Sequence, residues 1–313
     1  MTAAGRYRVT GKLLAGLFVL ALAAPAGSAS AQASASGLRW NLRLNETRGP
    51  IRTANTSPPA GKDASSEILA GPTNGSDNAY VIYTRMPAGA RGPALFTLPV
   101  EHYYVVLSGR MTVQIGSDTF VAGPMTGVVI PADTPHAVWN AATEPEAHLE
   151  VIAPAPSRDL LSMLKPAQPR KVENAAKSIR TITVTPAKDL KPGLNGAPFT
   201  NRDLGSPNQV RLDSTLPGSG GPATHVHRFE QVYFMVEGAT TILYGADRFK
   251  ASKNDIVILN PGVVHTNVND SGMPERHLTL LLPQNADGGP ADIEFEMKGP
   301  AGARGAAPPA PTR

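Results

Sequence analysis

The sequence predicts an all-β protein built from two tandem copies of one unit, and three observations lead there. Thirty glycines and thirty prolines in 313 residues break the apolar segments into short pieces. Those pieces, among them YVIYTRM, YYVVLSG, GVVIP, HLEVIAP, VYFMVEG, TTILYG, DIVILNP and HLTLLLP, are rich in Val, Ile and Tyr. They recur at roughly 8–12 residues, the rhythm of a sandwich or barrel of short strands. Third, sliding the chain by 129 positions lays Gly92–Pro154 over Gly221–Pro283 without a gap. Glu101 then meets Glu230, Tyr104 meets Tyr233, Gly109 meets Gly238, His136 meets His265 and Asn140 meets Asn269.

Taken in order along the chain, the first element is a leader. Arg6, Arg8 and Lys12 precede an apolar run from Leu13 to Ala24, followed by the small residues PAGSASAQA. This is the layout of a secretory signal peptide over residues 1–31, with cleavage after Ala31 or Ala33. The run of 12 residues is short of the roughly 20 that span a bilayer. A secreted or periplasmic protein is expected, with no stable membrane anchor after cleavage. The two β-units follow at 38–165 and 170–298, and SRDLLSMLKP (157–166) predicts about two turns of helix between them. KPAQPRKVENAAK (165–177) has the composition of a linker, and 299–313 that of a disordered tail.

The chain carries 29 basic and 25 acidic side chains, and three of the basic ones lie in the leader, so the remainder is 26 − 25 = +1. Charges of both signs are mixed with no basic stripe, which excludes nucleic acid as a partner. A small molecule is the expected partner, and a homodimer is left open. With no cysteine there are no disulfides, thiolate ligands or cysteine nucleophiles.

Chemistry concentrates in HVHRFEQVYFMVEG of the second copy. His225 and His227 share one face of an extended segment, because strand side chains alternate. His265 arrives just after a predicted strand and a Pro-Gly turn. Three imidazoles and one oxygen donor make a first shell for a divalent transition metal; Fe, Mn, Ni and Zn all suit it.

At these residues the chain resembles the cupin superfamily. The first cupin motif is matched by His225, His227, three intervening residues, Gln231, six more and Gly238. The second is matched with departures: Asn254 stands at its glycine, Asn260 at its proline, then come Gly262, His265 and Asn269. The resemblance covers most of the chain and implies a bicupin: two tandem jelly-roll β-barrels with any metal inside. It loosely resembles quercetinase-type dioxygenases in domain arrangement. In the first copy Phe96 and Leu98 replace the two histidines, leaving His102 and His136, so a metal-free first barrel is expected.

The fourth ligand is Glu230 or Gln231. Counting six residues back from Gly238 reaches Gln231, and the same count from Gly109 reaches His102. A one-residue shift along a strand turns the side chain to the other face. Glu101, retained opposite Glu230 in the copy without the histidine pair, points to a structural role outside the barrel, pairing with a basic side chain. These counts favour Gln231, which leaves the metal's double charge uncompensated and the site without a carboxylate base. The resemblance then implies an oxygenase of a small anionic, enolic or aromatic molecule. The alternatives are a non-redox lyase, isomerase or hydrolase of an acid, and a non-catalytic binding or storage protein. Tyr233 and Met235 share Gln231's strand parity and are candidates to line the pocket, whereas His277 and His148 read as packing residues.

Overall fold

The computed structural model describes residues 30–33, 37–155, 159–284 and 291–294. The predicted leader, apart from Ser30 and Ala31, and the predicted tail at 299–313 lie outside the described residues.

Runs of β-branched and aromatic residues suit the pleated, half-buried environment of a strand, and here they build two halves of the same design. In the N-terminal half a large antiparallel sheet sets Ser65–Ala70, Tyr80–Met86, Glu146–Ala153, Glu101–Ser108 and Thr126–Ile130 side by side. A smaller sheet of Phe96–Thr97, His136–Trp139, Met111–Ile115 and Asp118–Ala122 accompanies it. The C-terminal half repeats this with Asn195–Thr200, Gln209–Thr215, Glu275–Leu282, Glu230–Glu237 and Asp255–Leu259. Its smaller sheet holds Asp247–Ser252, Ala239–Tyr244, His265–Val268 and His225–Val226. The 129-residue offset carries Glu101–Ser108 onto Glu230–Glu237, and it also carries Tyr80–Met86 onto Gln209–Thr215. YVIYTRM and QVRLDST share too few residues for that stretch of the duplication to show in sequence.

The glycine that ends each first motif has a steric cause. Gly109 and Gly238 both sit at φ +71°, and a Cβ would meet Pro145 O at 2.4 Å and Pro274 O at 2.6 Å. No side chain fits there.

The two large sheets face each other through one apolar cluster. Val81, Tyr83, Val105, Leu149 and Val151 join Leu212, Val232, Phe234, Ile256, Leu278 and Leu280. Tyr83 and Phe234 stack with centroids 5.9 Å apart. Both faces of the large-sheet strands are therefore buried, which is why they read as continuous apolar runs. Asp118–Ala122 and Asp247–Ser252 are mostly exposed and mix polar residues with Phe120, Val121 and Phe249.

Edge strands cross between the halves. Ile51–Thr53, near the start of the first half, pairs with Asp255–Val257 of the second, and Thr53 Oγ1 donates to Asp255 Oδ1 at 2.5 Å. Ile179–Thr181, near the start of the second half, pairs with Thr126–Val128 of the first. The segment with linker composition is thus tied down at both ends, since Lys165–Pro166 pairs with Phe96–Thr97. The predicted two-turn helix is only a 3-10 turn, Leu160–Met163, capped by Asp159. Pro166 biases the residue before it toward extended backbone. Leu160, Leu161, Met163 and Leu164 all bury against Trp40 and Phe96, leaving no polar face for a longer helix.

Candidate metal centre

Three elements bring the second-copy residues together. His225 opens the short strand His225–Val226, flanked by His265–Val268 and Ile293–Glu294, and stands directly opposite His265, the first residue of its strand. Gln231 is the second residue of Glu230–Glu237, in the other sheet. His225, His227, Gln231 and His265 are all buried.

Each histidine is held in one tautomer by the backbone. His225 Nδ1 lies 2.6 Å from Ala223 O, His227 Nδ1 2.8 Å from Ala291 O, and His265 Nδ1 2.9 Å from Val263 O. A carbonyl only accepts, so each Nδ1 carries the proton and each Nε2 presents a lone pair. Burial lowers the pKa of His227, and lowers that of His265 to about 4, which keeps both rings neutral near pH 7. The Nε2 atoms of His225 and His227 lie only 3.2 Å apart. Gln231 Oε1 lies 2.9 Å from His227 Nε2 and 3.0 Å from His265 Nε2. Ligand atoms of the three histidines all fall within 4.8 Å of one another. Lone pairs converging at these distances without a proton between them repel, and a cation among them removes the repulsion. The donor set fits a divalent transition metal.

Glu230 faces the other way. Ser76 Oγ donates to its Oε1 at 2.5 Å across the contact between the halves, and burial pushes its pKa up to about 7. Glu101 mirrors it: Ser206 Oγ and Asn208 Nδ2 of the second half donate to its Oε2 at 2.9 and 3.3 Å. The basic partner expected for these glutamates is replaced by hydroxyls and an amide. The contact they lie in is otherwise apolar, and a neutral donor costs less there than a desolvated Lys or Arg.

In the first half Phe96 and Leu98 fill the space of the two missing imidazoles, both fully buried. The Phe96 ring lies 4.3 Å from that of His136. His102 Nδ1 sits 3.0 Å from His136 Nε2 and 3.1 Å from the Tyr104 hydroxyl. Burial, then His102, drive the pKa of His136 down to about 3. These two histidines satisfy each other instead of converging on an empty point.

His148 and His277, expected to be packing residues, are fully buried beside carboxylates that favour a charged ring. His148 Nδ1 is 2.8 Å from Glu146 Oε1 and its Nε2 3.4 Å from Glu150 Oε1, all inside the half. Burial opposes its charge, but Glu146 and Glu150 outweigh that and raise its pKa to about 10. His277 Nδ1 lies 2.5 Å from Glu275 Oε1, and its pKa is also raised. The carboxylate beside each pair has changed strand between copies: Thr84 and Glu150 of the first half correspond to Asp213 and Thr279 of the second.

Tyr233 packs its ring 4.4 Å from His277, and burial, with Asp213 adding to it, raises its pKa. Met235 is buried among Ile242, Ala251 and Val257. Sequence reasoning missed Asp292. Its Oδ1 stands 3.5 Å from His227 Nδ1 and 3.9 Å from His225 Nε2, on a partly exposed segment whose Ile293–Glu294 pairs with His225–Val226. No motif marks it; only the pairing of a distant segment brings it to the site.

Two family models match the chain, one described as Cupin domain over residues 82–152 and one as AraC-like ligand binding domain over 206–296. No curated protein matches. Among solved structures, Bacillus subtilis oxalate decarboxylase, in a study of its Mn(II) centres, aligns at 14% identity and TM-score 0.54, covering 80% of each chain. The protein Ylba from E. coli aligns at 13% identity and TM-score 0.54, over 86% of this chain and 96% of that one. A variant of salicylate 1,2-dioxygenase from Pseudoaminobacter salicylatoxidans aligns at 12% identity and TM-score 0.54, over 69% and 76%. At these identities the likeness is one of fold.

Proposed function

We propose that this chain, a bicupin of two tandem cupin domains, is a metal-dependent oxygenase of dioxygenase type. Its substrate is a small anionic, enolic or aromatic molecule bound in the C-terminal domain. The observation that carries the reading is the 3.2 Å approach of the His225 and His227 Nε2 lone pairs, with Gln231 Oε1 beside them and every Nδ1 proton already committed to a carbonyl. His225, His227, Gln231 and His265 would hold one divalent transition metal. Such an ion supplies Lewis acidity and, when it is Fe, Mn or Ni, redox chemistry with dioxygen.

The protein's own part follows from its charges. Four neutral ligands leave the positive charge of the centre uncompensated, which favours an anionic or readily ionised substrate. Phe229 stacks on the His227 ring at 4.7 Å and holds its plane. Gln231 carries no exchangeable acid–base function, so Asp292 Oδ1, at the rim, is the atom placed to hold a substrate proton. That same carboxylate favours a second reading, a non-redox lyase, isomerase or hydrolase acting on a small acid, which needs no oxidant. The N-terminal domain serves as structural partner, and the leader-like start of the chain supports export to the periplasm or beyond.

Metal analysis of the purified protein should find about one equivalent, lost in His225→Ala; finding none overturns both readings. Oxygen uptake with a panel of salicylates, catechols and flavonoids tests the first. Turnover that persists without oxygen selects the second, and full metal without turnover on either class of substrate identifies a binding protein.

A further inference from the structure

Away from the metal centre, a cleft of about 760 Å³ opens where the exchanged N-terminal arm crosses onto the second domain. Its walls include Arg48, Arg52, Asn74, Gly75, Tyr244 and Asn260. Arg52, on the exchanged strand opposite Ile256, is only 4% exposed. Its Nε donates to Thr47 O at 2.8 Å and its Nη1 to Leu69 O at 3.2 Å, and both acceptors are neutral. Burial alone lowers its pKa, with no charged neighbour contributing. Among the described residues this guanidinium has no carboxylate partner. It remains protonated in any protein environment, and a buried cation without a counter-charge costs several kcal/mol.

Its unused donors open to the cleft. Among the described residues Nη2 makes no hydrogen bond, and it is not sealed from the cleft that Arg52 lines. Gly75 lets the backbone lie against it: at φ +106°, a Cβ there would come within 2.8 Å of Nη2. Next to it is an orphan of opposite kind. Asn74 Nδ2 is bound to Asn45 O, Ile68 O and Leu69 O at 3.1, 3.3 and 3.4 Å, the last being the carbonyl that Arg52 also uses. That fixes the amide's orientation, with Asn74 Oδ1 sealed from the cleft and without a donor among the described residues, so this side chain braces the wall. In the pseudo-equivalent cleft, about 560 Å³, the corresponding Arg180 is exposed; both linings carry a carboxylate, the exposed Glu46 in the first and Glu101 in the second.

We propose that this cleft binds a small anion, a polycarboxylate or a phosphate. Arg52 is its buried anchor and Arg48 its contact at the rim. The site is separate from the metal centre and stands or falls without it. Titration calorimetry tests it with two probes, citrate and inorganic phosphate. Because citrate also chelates metals, each titration is run on the wild type and on His225→Ala. One saturable equivalent of citrate or phosphate is expected in both, and the stronger of the two identifies the ligand class. Arg48→Ala should weaken binding about fivefold and Arg52→Gln at least thirtyfold, while Arg180→Gln leaves it unchanged. Should Arg52→Gln fail to fold, Arg48→Ala, an exposed position, decides alone. Absence of saturable binding by both citrate and phosphate, its loss in His225→Ala, or unchanged affinity in Arg48→Ala overturns the proposal.

Discussion

Replacing His148 by Gln is the sharpest probe of how the first domain is held together. The imidazolium is fully buried between Glu146 and Glu150, with Nδ1 2.8 Å from one carboxylate and Nε2 3.4 Å from the other. Its pKa rises from 6.5 to about 10 in the fold. At about 1.4 kcal/mol per unit, that difference bounds its charge-linked contribution near 5 kcal/mol. Breaking one member out of a buried ion pair generally costs about 3–5 kcal/mol, because the partner charge is stranded. Both routes place His148→Gln near a 4 kcal/mol loss. The sign with pH is set by the direction of the shift. A histidine whose pKa is raised in the fold contributes in full below its unfolded value of 6.5 and loses that contribution as pH climbs through about 10. Urea unfolding followed by tryptophan fluorescence reads the right domain, since Trp40 and Trp139, the only two in the chain, both lie in the first copy. The gap between wild type and variant should be widest at pH 6 and narrow to under about 1 kcal/mol at pH 10. Glu146→Gln with His148→Gln, which removes the cation together with one counter-charge, should recover much of the loss. A gap that does not change between pH 6 and 10, or a double variant as weak as the single one, refutes the ionic account and returns His148 to ordinary packing.

Gln231→Ala should lower metal affinity at least tenfold by equilibrium dialysis, whereas Glu230→Gln should keep about one equivalent. Glu230 also predicts a pH effect. Its carboxyl is raised from 4.5 to about 7, so the fold favours the protonated form, and its stabilising contribution is full below 4.5 and lost as pH rises through about 7. Thermal melts of Glu230→Gln should gain on wild type between pH 4.5 and 8 by on the order of 3 kcal/mol, and parallel curves would argue against it. Phe96→Ala should cost about 3–5 kcal/mol in urea unfolding while leaving metal content at about one equivalent, because the ring fills the place of a lost ligand without serving the centre.

Periodicity and repetition carried much of this architecture into view from the sequence. Strand runs such as VYFMV and HLEVI are long-range only in their pairing; their extended local preference is written in each residue, so their existence was legible. The duplication was legible wherever a steric or ligand demand kept the same residue, as at Gly109 and Gly238. It faded over Tyr80–Met86 and Gln209–Thr215, where buried Asp213, Ser214 and Thr215 stand in place of Thr84, Arg85 and Met86. Three features were beyond local reading. The helix expected near Leu160 gave way to a single turn because Lys165–Pro166 is claimed by pairing with Phe96–Thr97. His148 and His277 looked like packing residues because their carboxylates Glu146 and Glu275, two positions earlier, become partners only when both side chains point inward. Asp292 and Arg52 owe their positions to pairings across roughly 67 and 204 residues of chain, a separation that no window of sequence spans.

The choice between Glu230 and Gln231 shows how a β-strand divides labour between adjacent residues. Alternation sends Gln231 into the interior with the imidazoles and Glu230 out to Ser76 of the other domain. The same division holds at His102 and Glu101, the one meeting His136 and the other Ser206. Outward glutamates are reciprocal: each domain sends one carboxylate into the other, so the contact is pinned twice by the same device. Losing the histidine pair from the first domain leaves that device intact, because the two faces of the strand answer to different demands. An amide rather than a carboxylate at the inward position then sets the charge of the centre, while the carboxylate beside it acts on docking alone. Exchanging the pair, Glu230→Gln with Gln231→Glu, separates these roles in one protein. The inward carboxylate should retain the metal and weaken an anionic substrate, seen as a rise in KM. The outward amide should flatten the stability profile between pH 4.5 and 8. Either effect appearing in the single variant at the opposite position would mean that the two faces are coupled and the division of labour is wrong.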